Sequence, residues 1–93
     1  MNVRDLKTKL EATVDKGKVN QLMTNISHWM KFVMESPNGE YVADNMRDIE
    51  TLEKLAGMGL VTMRKGSGTA IIAELTNDGK ELYRDFMGHG YFL

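Results

Sequence analysis

Ninety-three residues with a 42% apolar and 27% charged share suit one ordinary soluble globular domain with a modest, self-sufficient core. The formal net charge of −1 leaves no basic excess of the kind that drives indiscriminate nucleic-acid binding. The chain has no Cys, which excludes a disulfide framework, a thiolate metal site and a cysteine nucleophile, and fits a cytoplasmic setting.

In chain order, residues 2–15 read as an amphipathic helix with Val3, Leu6, Leu10 and Val14 on one stripe. Asn2 is placed to cap it, Asp5 puts a carboxylate in its first turn, and Gly17 is the expected interruption. The opening MNVRDLKTKL carries charges among its leucines and lacks the continuous apolar run of a signal peptide. Residues 18–35 form the longest helix. Val19, Leu22, Met23, Ile26, Met30, Val33 and Met34 follow helical spacing, and Trp29 and Phe32 widen the apolar face, so it needs cover on more than one side. Polar Gln21, Asn25, His28 and Lys31 keep this helix from reading as a membrane span. His28 has no second ligand at metal spacing and reads as a surface histidine.

Ser36-Pro37-Asn38-Gly39 is a turn, because Pro fixes φ and Gly permits the reversal. Glu40-Tyr41-Val42 then reads as a short strand. Asn45 is a candidate N-cap with Asp48 three residues on, opening a helix over 46–58 that buries Ile49, Leu52 and Ala56. At 100° per residue, Arg47, Thr51 and Lys54 share the opposite face. Between Asp44 and Met58, four carboxylates stand against two cations, a balance of −2. Gly59 is placed to end the helix in the left-handed conformation, with Leu60 folding back on the last turn.

Two β-rich runs, Val61–Lys65 and Thr69–Leu75, flank Gly66-Ser67-Gly68, where positive φ costs little. Arg64 and Lys65 are expected to project near this tip, where cations and backbone N–H groups together suit phosphate or minor-groove contact. Gly-Ser-Gly lacks the spacing of a nucleotide-binding P-loop. Thr76 is placed to cap a helix over 76–87 with Leu82, Tyr83 and Phe86 on its apolar side. Gly88-His89-Gly90 is expected to loosen the chain before Tyr91-Phe92-Leu93, an apolar triplet that needs cover from helix 1 or a second subunit.

The wording LEKLAGMGLV resembles the "LxxLxxxGLV" ending of a recognition helix in MarR-like and PadR-like winged helix-turn-helix regulators. ELTNDGKELYRDF is similar to their "LTxxGxxLxxxF" entry into the C-terminal helix. The resemblance implies an α+β, mostly α fold: a winged helix over 18–75 with a β-hairpin wing, an added N-terminal helix (1–16), a C-terminal helix (76–87) and a tail (88–93). The chain departs from the family pattern where a complete helix should follow the first strand. Only Ala43 to Asn45 precede MRDIETLEKLAGM, so the second helix is absent, reduced to a turn, or fused into one helix over about 42–58.

The function implied is a homodimeric DNA-binding transcription regulator in the cytoplasm, contacting double-stranded DNA through Arg47, Thr51, Lys54, Arg64, Lys65 and Ser67. Leu6, Leu10, Tyr91, Phe92 and Leu93 are the expected dimer contacts. The alternative is a winged-helix protein-interaction module that does not touch DNA. No cofactor, metal or membrane partner is expected. The two histidines stand 61 residues apart outside any motif, and no catalytic constellation emerges.

Overall fold

Caps and stops written into the sequence set most element boundaries. The computed structural model describes residues 1–91; Phe92 and Leu93, two of the expected dimer contacts, lie outside the described residues. The described chain is α+β and mostly helical, with α1 (Val3–Thr13), α2 (Lys16–Glu35), β1 (Tyr41–Ala43), α3 (Met46–Gly57), β2 (Val61–Lys65), β3 (Ile71–Leu75) and α4 (Asn77–Gly88).

The Asn2 side chain caps α1 by accepting from the Asp5 N–H at 2.8 Å. The first free N–H of the helix, on Val3, donates to the Asp85 carboxylate of α4 at 2.6 Å. That bond ties the start of α1 to α4 and satisfies a helix-end donor. The break after α1 falls at Val14 and Asp15, both extended, rather than at Gly17. Gly17 has no positive φ and sits inside the first turn of α2, so its conformational freedom is not used there. Helix α2 buries Val19, Met23, Ile26, Met30 and Val33 against α1, α4 and β3. Its one fully buried polar side chain, Ser27, is satisfied by donating to the Thr24 carbonyl at 2.6 Å.

After α2 the chain reverses through Pro37–Gly39, with Asn38 and Gly39 both left-handed (φ 60° and 71°). The antiparallel sheet has the order β1-β3-β2. Strand β1 starts one residue later than expected, at Tyr41, and Tyr41 pairs with Ala73. Strand β3 begins at Ile71, so Thr69 and Ala70 belong to the hairpin tip and Lys65 faces Ile71 across it. Side-chain alternation places Val61, Met63, Ala73 and Leu75 toward the helices. Val42, Arg64 and Ile72 line up on the outer face.

A double lock joins α3 to α4. Gly59 (φ 77°) stops α3: its N–H bonds the Ala56 carbonyl at 2.9 Å, and the Leu60 N–H bonds the Leu55 carbonyl at 3.0 Å. This is a Schellman stop, with buried Leu60 against buried Leu55 as its apolar contact. Thr76 closes the other side. Its N–H bonds the Leu60 carbonyl at 3.0 Å, and its hydroxyl donates to the Gly59 carbonyl at 2.6 Å while accepting from the Gly79 N–H at 3.0 Å. Gly79 packs directly on the Leu60 carbonyl, with no room for a Cβ.

Helix α4 buries Leu82, Tyr83 and Phe86 and runs to Gly88. The expected loosening at 88–90 is instead a second Schellman stop. Gly90 (φ 78°) bonds the Met87 carbonyl at 3.1 Å, and the Tyr91 N–H bonds the Phe86 carbonyl at 3.1 Å. The Tyr91 ring meets Phe86 edge-on at 4.7 Å between centroids.

Candidate nucleic-acid interface

Only Asp44 and Asn45 separate β1 from α3, so no helix precedes α3 in the position a helix-turn-helix requires, and no single helix spans 42–58. Asn45 is the N-cap: its side-chain oxygen accepts from the Asp48 N–H at 2.9 Å. The Asp48 carboxylate then accepts from the Asn45 amide at 3.1 Å and from the Tyr41 hydroxyl at 3.2 Å. That cap fixes the rotation of α3, and the rotation sorts its charges. Leu52 and Leu55 turn inward, and α3 packs on β2. Arg47, Thr51 and Lys54 share a second face, with exposed Glu50 at its edge, ~40° from Lys54 at ~100° per residue, and exposed Glu53 further round.

The structure therefore brings Arg47, Thr51 and Lys54 together, but not on a bare convex surface. They form one wall of a groove of about 560 Å³. The facing wall is α2, contributing Leu22, Ile26, Trp29 and Phe32 with polar Asn25 and His28; Leu10, Leu55 and Met58 complete the lining. Arg47 and Lys54 are exposed, and neither has a carboxylate within ion-pair distance; the possible Glu50–Lys54 pair does not form. The Thr51 hydroxyl donates to the Arg47 carbonyl at 3.1 Å, so its proton is committed to the helix backbone.

The hairpin differs from its sequence-based expectation. Arg64 does not project from the tip. It lies on the outer face of the sheet, ion-paired with Glu40 and 3.8 Å from Glu74, which cancels its charge locally. Lys65 is exposed with no acidic partner, and Ser67 is exposed at the tip. Bonds from the Gly66 N–H to the Ala70 carbonyl (2.8 Å) and from the Ala70 N–H to the Ser67 carbonyl (3.1 Å) close the turn around left-handed Gly68.

Two of the expected dimer contacts are taken by the protomer itself. Leu6 and Leu10 are 0% and 8% exposed within its core, where α1 packs on α2 and α4, so they offer no surface to a second copy. Tyr91 is partly buried on Phe86 of its own chain.

Sequence reasoning missed an aromatic row beside α3. His28 and Phe32 lie 6.4 Å apart between ring centroids. Trp29 meets Phe32 at 6.0 Å and Tyr41 at 5.4 Å, both edge-on. Burial, with the adjacent Asp48 and then Asp44, raises the Tyr41 hydroxyl pKa above its ordinary value. The i, i+3 and i+4 spacing of His28, Trp29 and Phe32 carried the signal, but nothing local shows that β1 would deliver Tyr41 to the row. Among the described residues no group of three metal-ligating side chains converges, and no helix is long and apolar enough to cross a membrane.

Comparison of the chain with protein-family models, with curated proteins and with solved structures finds no match.

Proposed function

We propose that the chain is a small winged-helix regulator of the MarR-like or PadR-like kind that binds duplex DNA as a cytoplasmic homodimer. The observation that carries this reading is the sorting of charge on α3. Arg47 and Lys54 share a face with Thr51, unpaired by any carboxylate, while Glu50 stands at its edge outside the groove lining and Glu53 lies further round. Of the carboxylates near that face, Asp48 is engaged by Asn45 and Tyr41, and Glu50 at its edge pairs with neither cation. The β2–β3 hairpin that follows α3, paired through β3 with β1 and joined to α4 by the Gly59–Thr76 lock, is compatible with the expected wing order and supports the same reading.

In this mechanism Arg47 reaches guanine edges in the major groove, and Lys54 meets phosphate. Lys65 and the Ser67 tip touch the flanking backbone. Arg64, held by Glu40 and Glu74, keeps the hairpin in shape and takes no part in binding. A dimer built on the exposed faces of α1 and α4 would set two α3 helices about one DNA turn, ~34 Å, apart.

The test is binding to a mixed-sequence duplex at low salt, repeated with Arg47→Ala/Lys54→Ala. Loss of two phosphate-competent cations should weaken binding and reduce the salt slope by up to about 2. No measurable binding of the unaltered chain at low salt refutes the proposal.

A further inference from the structure

The groove between α2 and α3 carries chemistry that duplex binding does not use. Its α2 wall is apolar and aromatic, and Phe32 is left 53% exposed on it. A nucleic-acid backbone has no use for such a wall, whereas an amphipathic helix has. The two-residue Asp44–Asn45 link leaves no chain between β1 and α3 to cover it.

We propose that this groove is a docking site for one acidic amphipathic helix of a partner protein. Length, charge and the chain's own helices each point to that occupant. Leu22 to Phe32 covers ten helical steps of α2, about 15 Å, which matches roughly three turns of a helix laid alongside. The rim facing Trp29 and Phe32 carries Arg47 and Lys54, both unpaired. Asp48, the one carboxylate in the lining, is already engaged by Asn45 and Tyr41. A helix with apolar residues at i, i+4 and i+7 and glutamates flanking them satisfies both walls at once. Among the described residues, a second copy of this chain supplies no acidic helix with a free apolar stripe. Apart from the α2 wall itself, its described helices spend their apolar stripes in their own core, leaving Met46 and Met87 as the exposed large apolar residues of α3 and α4.

Trp29 is the chain's single tryptophan and lies in the lining, so its fluorescence reports occupancy directly. The probe is a synthetic three-turn helical peptide with Leu at i, i+4 and i+7 and Glu on both flanks, compared with the same peptide carrying Lys for Glu. The titration contains no DNA, so its outcome is separate from that of duplex binding. The acidic peptide should give a saturable Trp29 change and bind at least about tenfold more tightly than the basic one. Phe32→Ser and Arg47→Gln/Lys54→Gln should each cost about tenfold or more in affinity. All three side chains are exposed, so far-ultraviolet circular dichroism should show both variants folded. Absence of saturable binding overturns the proposal, as does equal binding of the two peptides. A Trp29 change that follows protein concentration alone, with dimers in solution, assigns the groove to a second copy and overturns it as well.

Discussion

The α3–α4 lock closes the C-terminal end of α3 and the α2–α3 groove runs along its side, and the two are built on opposite terms. At the lock, two backbone stops and a threonine close on each other with several short hydrogen bonds and no space for a methyl group. At the groove, large apolar side chains stay half open, and two cations stand without partners. The lock resolves every polar group it buries, and so has no further use for a ligand. The groove leaves apolar area and charge unresolved, which is the usual condition of a surface that binds. A small domain can fix a helix firmly at its end and keep one side of it available.

The lock should break most sharply at Gly79. A Cβ there meets the Leu60 carbonyl, a backbone atom held by Thr76 that has nowhere to move. Gly79→Ala should therefore destabilise the fold by ~3 kcal/mol, at the upper end of ordinary overpacking costs. Gly17→Ala is the control. Nothing lies within 4 Å of its Cβ position, it sits inside α2 at ordinary φ, and the change should stabilise by about 0.5–1 kcal/mol. Urea denaturation followed by circular dichroism separates the two signs; equal small effects would mean that the junction is looser than its geometry. Thr76→Ala comes next. It removes the donor to Gly59 and the cap of α4 together and should cost ~1–2 kcal/mol in the same assay.

The lock was largely legible in the sequence because each of its parts is local. Gly59 and Leu60 follow directly on α3, and Thr76 precedes Gly79 by three residues, so stop and cap could be assigned from spacing. What spacing could not supply was their mutual contact, since Thr76 reaches Gly59 across the whole hairpin. The groove was legible only by halves. Helical periodicity put Arg47, Thr51 and Lys54 on one face, and the breadth of the α2 stripe signalled a need for further cover. That the two faces look at each other is a tertiary fact, set by how α3 lies on β2. Arg64 shows the same limit. Adjacency to the turn suggested a projecting cation, but strand register carried it to the outer face beside Glu40 and Glu74. Leu6 and Leu10 were assigned to a subunit contact on an amphipathic stripe that α2 and α4 already cover.

The smallest effect is expected where the groove meets the sheet. Tyr41 packs edge-on against Trp29 and donates to Asp48, and its pKa is raised by burial first and by the neighbouring carboxylates second. The folded chain thus keeps the Tyr41 proton at a pH where the unfolded chain has lost it. The stability this confers is intact below the ordinary tyrosine value of 10.0 and is lost as pH rises from there through the folded-state value. Titration of tyrosinate absorbance should show a late component that Tyr41→Phe removes. The substitution keeps the ring contact and gives up one 3.2 Å hydrogen bond at a partly buried site, so its cost at neutral pH should stay below about 1 kcal/mol. If Tyr41 instead ionises at its ordinary value, neither its burial nor its contact with Asp48 persists in solution. The junction of β1 with the start of α3 would then be loose, and the contrast with the lock would be sharper.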